Sequence, residues 1–147
     1  AMLVYQCFAA DEFTRLAAFF AICIPVFGAL RLAKFNIDDR QTTTFIGLPI
    51  PANAIFWIGL TALFSDNQGM LGVLPVIVII VLESLLMVSP LKMFSLKFKH
   101  LGWKGNEMRW VLAVAAVVSV GAMGVPGLMW LIIIYFLLSR LPVAYRA

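Results

Sequence analysis

Charge is what this chain has least of: 12% of its 147 residues are Asp, Glu, Lys or Arg, about half the roughly 25% of an ordinary soluble domain. So thin a supply cannot clothe a water-facing surface. It also excludes a nucleic-acid footprint, because the net charge of +4 forms no basic stripe on a polar domain. Histidine occurs once and cysteine twice. Cys7 and Cys23 both sit in apolar stretches, so they supply neither a disulfide framework nor metal-ligand spacing and read as small buried hydrophobes. His100 has no companion at ligand spacing, and no Asp-Gly pair occurs. Nor is a signal peptide expected in the opening "AMLVYQCFAA", which is apolar from its first residue and shows neither a basic n-region nor a small-residue cleavage site. That opening predicts the tail of a helix that starts upstream, and hence a fragment.

What is present is apolar. Hydrophobic residues make up 63% of the chain and the mean hydropathy is +1.02. Apolar runs of about 17 to 21 residues, the length that matches a bilayer's hydrocarbon thickness, recur between short polar breaks. The fold class expected is all-α: a polytopic transmembrane helical bundle forming a single integral membrane domain over 1–147. It has a helix remnant near 1–10 and about five full spans, near 14–34, 51–65, 70–88, 108–123 and 126–141. A membrane β-barrel would show segments of alternating hydrophobicity. "VLPVIVIIVLESLLMV" and "WVLAVAAVVSV" are apolar on every side instead.

Basic residues orient the spans. Arg31, Lys34 and Arg40 cluster after the first, and Lys92, Lys97, Lys99, Lys104 and Arg109 between the third and fourth. Arg140 and Arg146 follow the fifth, whereas "SDNQG" and "GAMGVPG" have no cation. The positive-inside bias therefore places the loops 35–50 and 89–107 and the C-terminus in the cytoplasm, where they also favour anionic lipid headgroups. The segment 90–107 interleaves apolar side chains with lysines and reads as a basic loop or an interfacial stretch. Glu83 is the one acid well inside a span, open to a functional role, an interior hydrogen bond or snorkelling. Ala17, Ala21, Ala113, Ser119, Gly121 and Gly124 mark candidate helix contacts.

The most informative stretch is "LRLAKFNIDDRQTTTFIGLPIPAN", Leu30 to Asn53. Arg31 and Lys34 are three residues apart and share a helix face at its cytoplasmic end. One reading is structural: cations complement the helix dipole and Asn36 acts as a C-terminal cap. The other is chemical. Paired cations at headgroup depth suit a phosphate or carboxylate, with Arg offering bidentate geometry and Lys a point charge. Pro51 suits the first turn of the next helix, whose free N–H groups would face the same layer. Thr44 and Asn36 are hydrogen-bonding candidates there, and Gly47 is a position for close backbone approach.

"GALRLAKFNID" followed by "FIGLPIPANA", and later "LMVSPLKMFSLKFKHLGWKGN", resemble the C-terminal half of the phosphatidylserine synthases of the bacterial CDP-alcohol phosphatidyltransferase family. The resemblance covers essentially the whole chain. It implies phospholipid biosynthesis in a bacterial cytoplasmic membrane: phosphatidyl transfer from CDP-diacylglycerol to L-serine, with Mg or Mn as cofactor, and a homodimer. The family's metal and catalytic residues follow the pattern D-G-x2-A-R-x8-G-x3-D-x3-D, which this sequence lacks, so no catalytic or metal residue carries over and the chain alone is expected to be inactive. What carries over is a substrate-binding set: Arg31 and Lys34 toward the anionic part of the substrates, with Asn36, Thr44 and Gly47 around it. Glycerol phosphate or inositol phosphate acceptors, a transporter fragment and a non-enzymatic scaffold are the competing readings. No internal inverted repeat supports the transporter.

Overall fold

The computed structural model describes residue 2 and residues 19–37, 44–66, 73–94 and 106–141. The readings placed on residues 1–10 (Met2 apart), Ala17, Asp38 to Thr43, the 67–72 turn, the 95–105 segment with His100, and the C-terminal Arg146 lie outside these. Within them the protein is mostly helical, as composition predicts.

A short 3-10 turn, Phe19–Ile22, runs directly into α1, Cys23–Ile37. Together they make the one described helix long and apolar enough to cross a membrane. Strand β1 (Thr44–Ile46) leads to α2 (Ile50–Asp66). Then come α3 (Val73–Val88), strand β2 (Lys92–Phe94), α4 (Glu107–Met123) and α5 (Gly127–Leu138). Pro51 sits in the first turn of α2, where its missing N–H costs no helical bond. Asn36 lies inside the last turn of α1 and is not the residue that ends it.

Sequence reading left 35–50 and 89–107 as loops, yet each contributes a strand. β1 and β2 pair antiparallel with Thr44 opposite Phe94, Phe45 opposite Met93 and Ile46 opposite Lys92. Met93 and Phe94 are buried, which removes that part of the basic segment from the headgroup boundary. The ribbon extends into the helices, because Gly47 N–H donates to Leu91 O at 2.8 Å and Leu48 N–H to Leu86 O at 3.0 Å. At Gly47 the backbone has φ 77, and an added Cβ would strike the Met87 carbonyl. A left-handed turn pressed against another backbone admits only glycine.

Two packing units result. α1 packs chiefly on α3, whereas α5 packs on both α2 and α4. Gly59 of α2 lies against the backbone of Leu128 and Met129, and Gly127 against that of Ser119. Such contacts bring helix axes closer than any larger residue allows. Gly121 and Gly124, two of the expected contact positions, would meet no atom within 4 Å if given a Cβ, and Ala113 is exposed. The small residues were recognisable, but which of them face a neighbour was not. Ala21 is buried, as a contact residue should be.

The ends of the elements gather at one pole. Lys34 Nζ, late in α1, donates to Val88 O at the end of α3 at 3.0 Å. Tyr135 of α5 donates its hydroxyl to Phe94 O at 2.8 Å, and Arg140 Nη2 reaches Lys92 O at 3.2 Å. The α4–α5 hairpin turns at Gly124, so the start of α4 returns to the same pole.

Candidate functional site

Arg31 is placed by the periodicity of α1. Gly28 and Arg31 are its buried positions, three residues apart on one face. The helix thus turns a guanidinium inward, and Arg31 is 8% exposed. Its Nε and Nη2 have no hydrogen-bond partner among the described residues. Those two nitrogens form one edge of the guanidinium, the edge that engages a carboxylate or phosphate with two parallel hydrogen bonds. A buried cation without a counter-charge costs several kcal/mol, about what removing one partner of a buried pair costs. The Tyr135 phenol is near enough to act on the Arg31 charge, but its hydroxyl proton is committed to Phe94 O.

Lys34 behaves differently from the cation it was paired with in sequence. Its side chain is exposed, and its ammonium engages the carbonyl that ends α3. That is a helix-terminus role, favourable by charge and dipole. Arg31 is therefore the buried cation, with Lys34 at the rim. Asn36 is exposed one turn beyond Arg31. Thr44 lies on β1 opposite Phe94, but its side chain falls outside the described part. Gly47 makes the close approach to Met87 that lets the ribbon cover this region.

Sequence reasoning missed Asn53 and Trp57, and Ser84 entered it only as a hydrogen-bonding neighbour of Glu83. Asn53, Trp57 and Ser84 are 2%, 3% and 1% exposed, and Asn53 Oδ1, Trp57 Nε1 and Ser84 Oγ have no partner among the described residues. Glu83, singled out in sequence, also leaves Oε2 buried and unpartnered, so the interior hydrogen bond considered for it is not made at that oxygen. Isolated polar residues inside apolar runs look like tolerated substitutions until their neighbours are known. The signal available was spacing alone: Asn53 and Trp57 are four apart on one face of α2.

Buried polar atoms almost always find partners, so six without one are the main chemical feature among the described residues. Among the described residues no three His, Cys, Asp or Glu come together to hold a metal ion. No protein-family model matches the chain, and no curated protein matches it.

Proposed function

We propose that these residues form the membrane-embedded C-terminal part of a phosphatidylserine synthase of the CDP-alcohol phosphatidyltransferase family. The described helices are its spans, and the pole carrying the ribbon is cytoplasmic. Exposed aliphatic side chains support the membrane setting. Leu30 and Leu32 on α1 and Val114, Val117 and Val118 on α4 all face outward, a surface that suits acyl chains and is costly in water. The 12 residues of α5 make a rod of about 18 Å, so the flanking turns must also lie within the bilayer.

The observation that carries the functional reading is the unpaired Nε–Nη2 edge of a buried Arg31. The reaction joins the serine hydroxyl oxygen to the phosphatidyl phosphorus, breaks that phosphorus's bond to CMP and leaves the hydroxyl proton with a base. Arg31 takes the serine carboxylate in two parallel hydrogen bonds, fixing the acceptor so that its hydroxyl is presented at the cytoplasmic pole. The metal-bearing pattern belongs to sequence outside these residues, and two copies pair as the resemblance implies.

The test uses the whole open reading frame that contains these residues, purified in detergent and supplied with CDP-diacylglycerol and Mg2+ or Mn2+. CMP release should depend on L-serine. Arg31→Ala should lower kcat/KM for serine about 100-fold, the loss expected when one partner of a buried charge pair is removed. The 147-residue chain alone should release none. Normal serine kinetics in Arg31→Ala would overturn the anion site. Release driven by glycerol 3-phosphate or inositol phosphate would move the chain to another branch of the family.

A further inference from the structure

The outer edge of β2 is held by side chains of α5 and the turn that follows it. Gly47 N–H donates to Leu91 O, so the alternation of an antiparallel pair turns the backbone of Met93 toward β1 as well, and the carbonyls of Lys92 and Phe94 away from it. Both carbonyls are taken. Tyr135 donates its hydroxyl to Phe94 O at 2.8 Å, and Arg140 Nη2 donates to Lys92 O at 3.2 Å. Alternate carbonyls of β2 thus receive from two side chains what a third strand would give them. A ribbon of two strands is marginal on its own, so these contacts decide where it sits.

The two contacts differ in setting. Tyr135 and Phe94 are each 2% exposed, and their rings meet edge-on with centroids 5.1 Å apart. Deleting the hydroxyl would leave a buried carbonyl without that donor, which costs more than the bond itself contributes. Arg140 is exposed, and its guanidinium lies 5.0 Å over the Phe136 ring. Tyr135 is the buried anchor of the strand and Arg140 its outer stay.

The same ribbon reaches the helix that carries Arg31. A Cβ on Gly47 would strike the Met87 carbonyl, and Met87 Cε is 3.5 Å from where a Cβ on Gly28 would sit. Gly28 and Arg31 are the buried residues of α1. Tyr135 is also near enough to act on the Arg31 charge, so one side chain is common to the ribbon and to the cation. We infer that Tyr135 is a positioning residue: by holding Phe94 O it fixes the β1–β2 ribbon relative to Arg31, and with it the space in which the Arg31 edge receives an anion. The inference rests on the Arg31 anion site proposed above and adds the group that sets its wall. Tyr135 acts through the ribbon and not on the reacting atoms, and small displacements of a binding wall are enough to weaken binding.

Tyr135→Phe tests this in the whole open reading frame in detergent, because it keeps the ring against Phe94 and deletes only the hydroxyl. KM for L-serine should rise about 10-fold, the worth of one hydrogen bond to a buried carbonyl, while kcat is held. The amides of Met93 and Gly47 should exchange with solvent about 10-fold faster by the same reasoning, while those of α4 keep their parent rates. Arg140→Gln should raise KM about 3-fold, the lower end for such a bond. A lowered thermal midpoint or faster ribbon exchange with KM unchanged would make Tyr135 merely structural and overturn the inference. Unchanged ribbon exchange would overturn it as well, and so would a loss confined to kcat. In each of these cases serine-dependent CMP release by the parent and its need for Arg31 are untouched, so the proposed function stands while the inference falls. A parent that releases no CMP with serine removes both.

Discussion

The hydroxyl side chains of the α2–α5–α4 unit and the buried polar groups of α1, α2 and α3 are drawn from the same kinds of residue and meet opposite fates. In the first, polar side chains are returned to their own helices. Thr61 Oγ1 donates to Trp57 O at 2.7 Å, Ser119 Oγ to Ala116 O at 3.3 Å and Ser139 Oγ to Tyr135 O at 2.9 Å. Gly59 and Gly127 then bring the backbones together. By contrast, Arg31 on α1, Asn53 and Trp57 on α2, and Glu83 and Ser84 on α3 each leave at least one atom unsatisfied among the described residues. The contrast teaches that the unsatisfied atoms are not the mark of a loosely assembled bundle. Among the described residues they fall on α1, α2 and α3, while the hydroxyls of Thr61, Ser119 and Ser139 are satisfied, as expected where stability has been given up for binding.

The largest effect separating the two regions should come from Gly59→Val. Its Cβ would meet Met129 N and the Leu128 carbonyl carbon, which are backbone atoms that cannot rotate away. Forcing α2 and α5 apart should cost about 3 kcal/mol, at the upper end for an overpacked core, read as a lowered thermal midpoint in a fixed detergent. A midpoint unchanged from the parent would mean that this helix pair is not the rigid half of the molecule.

The second effect is smaller and of opposite sign. Arg31→Met removes a buried, unpaired cation and keeps an unbranched side chain of similar length. Without ligand the variant should be more stable by about 1–2 kcal/mol, as when buried ionic groups are replaced by apolar ones, while losing anion binding. If Arg31→Met instead destabilised the protein as Gly59→Val does, Arg31 would be a structural partner of Tyr135 and not a ligand group.

The sequence disclosed these two regions unequally. Helices near 51–65, 108–123 and 126–141 matched α2, α4 and α5 to within a few residues, because a long apolar run bounded by Gly, Pro and polar residues has few alternatives. Arg31 stood out because a cation in an apolar helix is conspicuous. The ribbon did not, since its pairing joins Thr44 to Phe94 across two intervening helices and no local pattern encodes that meeting. Asn53 and Trp57 were illegible for the same reason: each is ordinary on its own helix and becomes unusual only when the helices pack and bury it with a polar atom unpartnered. Lys34 misled in the other direction, because helical spacing paired it with Arg31 while the turn of α1 gave it to the end of α3.

The smallest effect sharpens the comparison from the packed side. Gly121 was marked as a helix-contact position from sequence, whereas Gly127, six residues on, was not. A Cβ at Gly121 meets nothing within 4 Å, whereas one at Gly127 runs into Ser119 O. Gly121→Ala should therefore leave the fold intact and add up to about 0.8 kcal/mol from helix propensity alone. Gly127→Ala should lower the midpoint, because Ser119 can yield only by moving α4. Equal effects at the two positions would show that the α4–α5 hairpin is not held by that contact. A loss of stability at Gly121 that appears only at high protein concentration would mean that a second copy of the chain packs on this face.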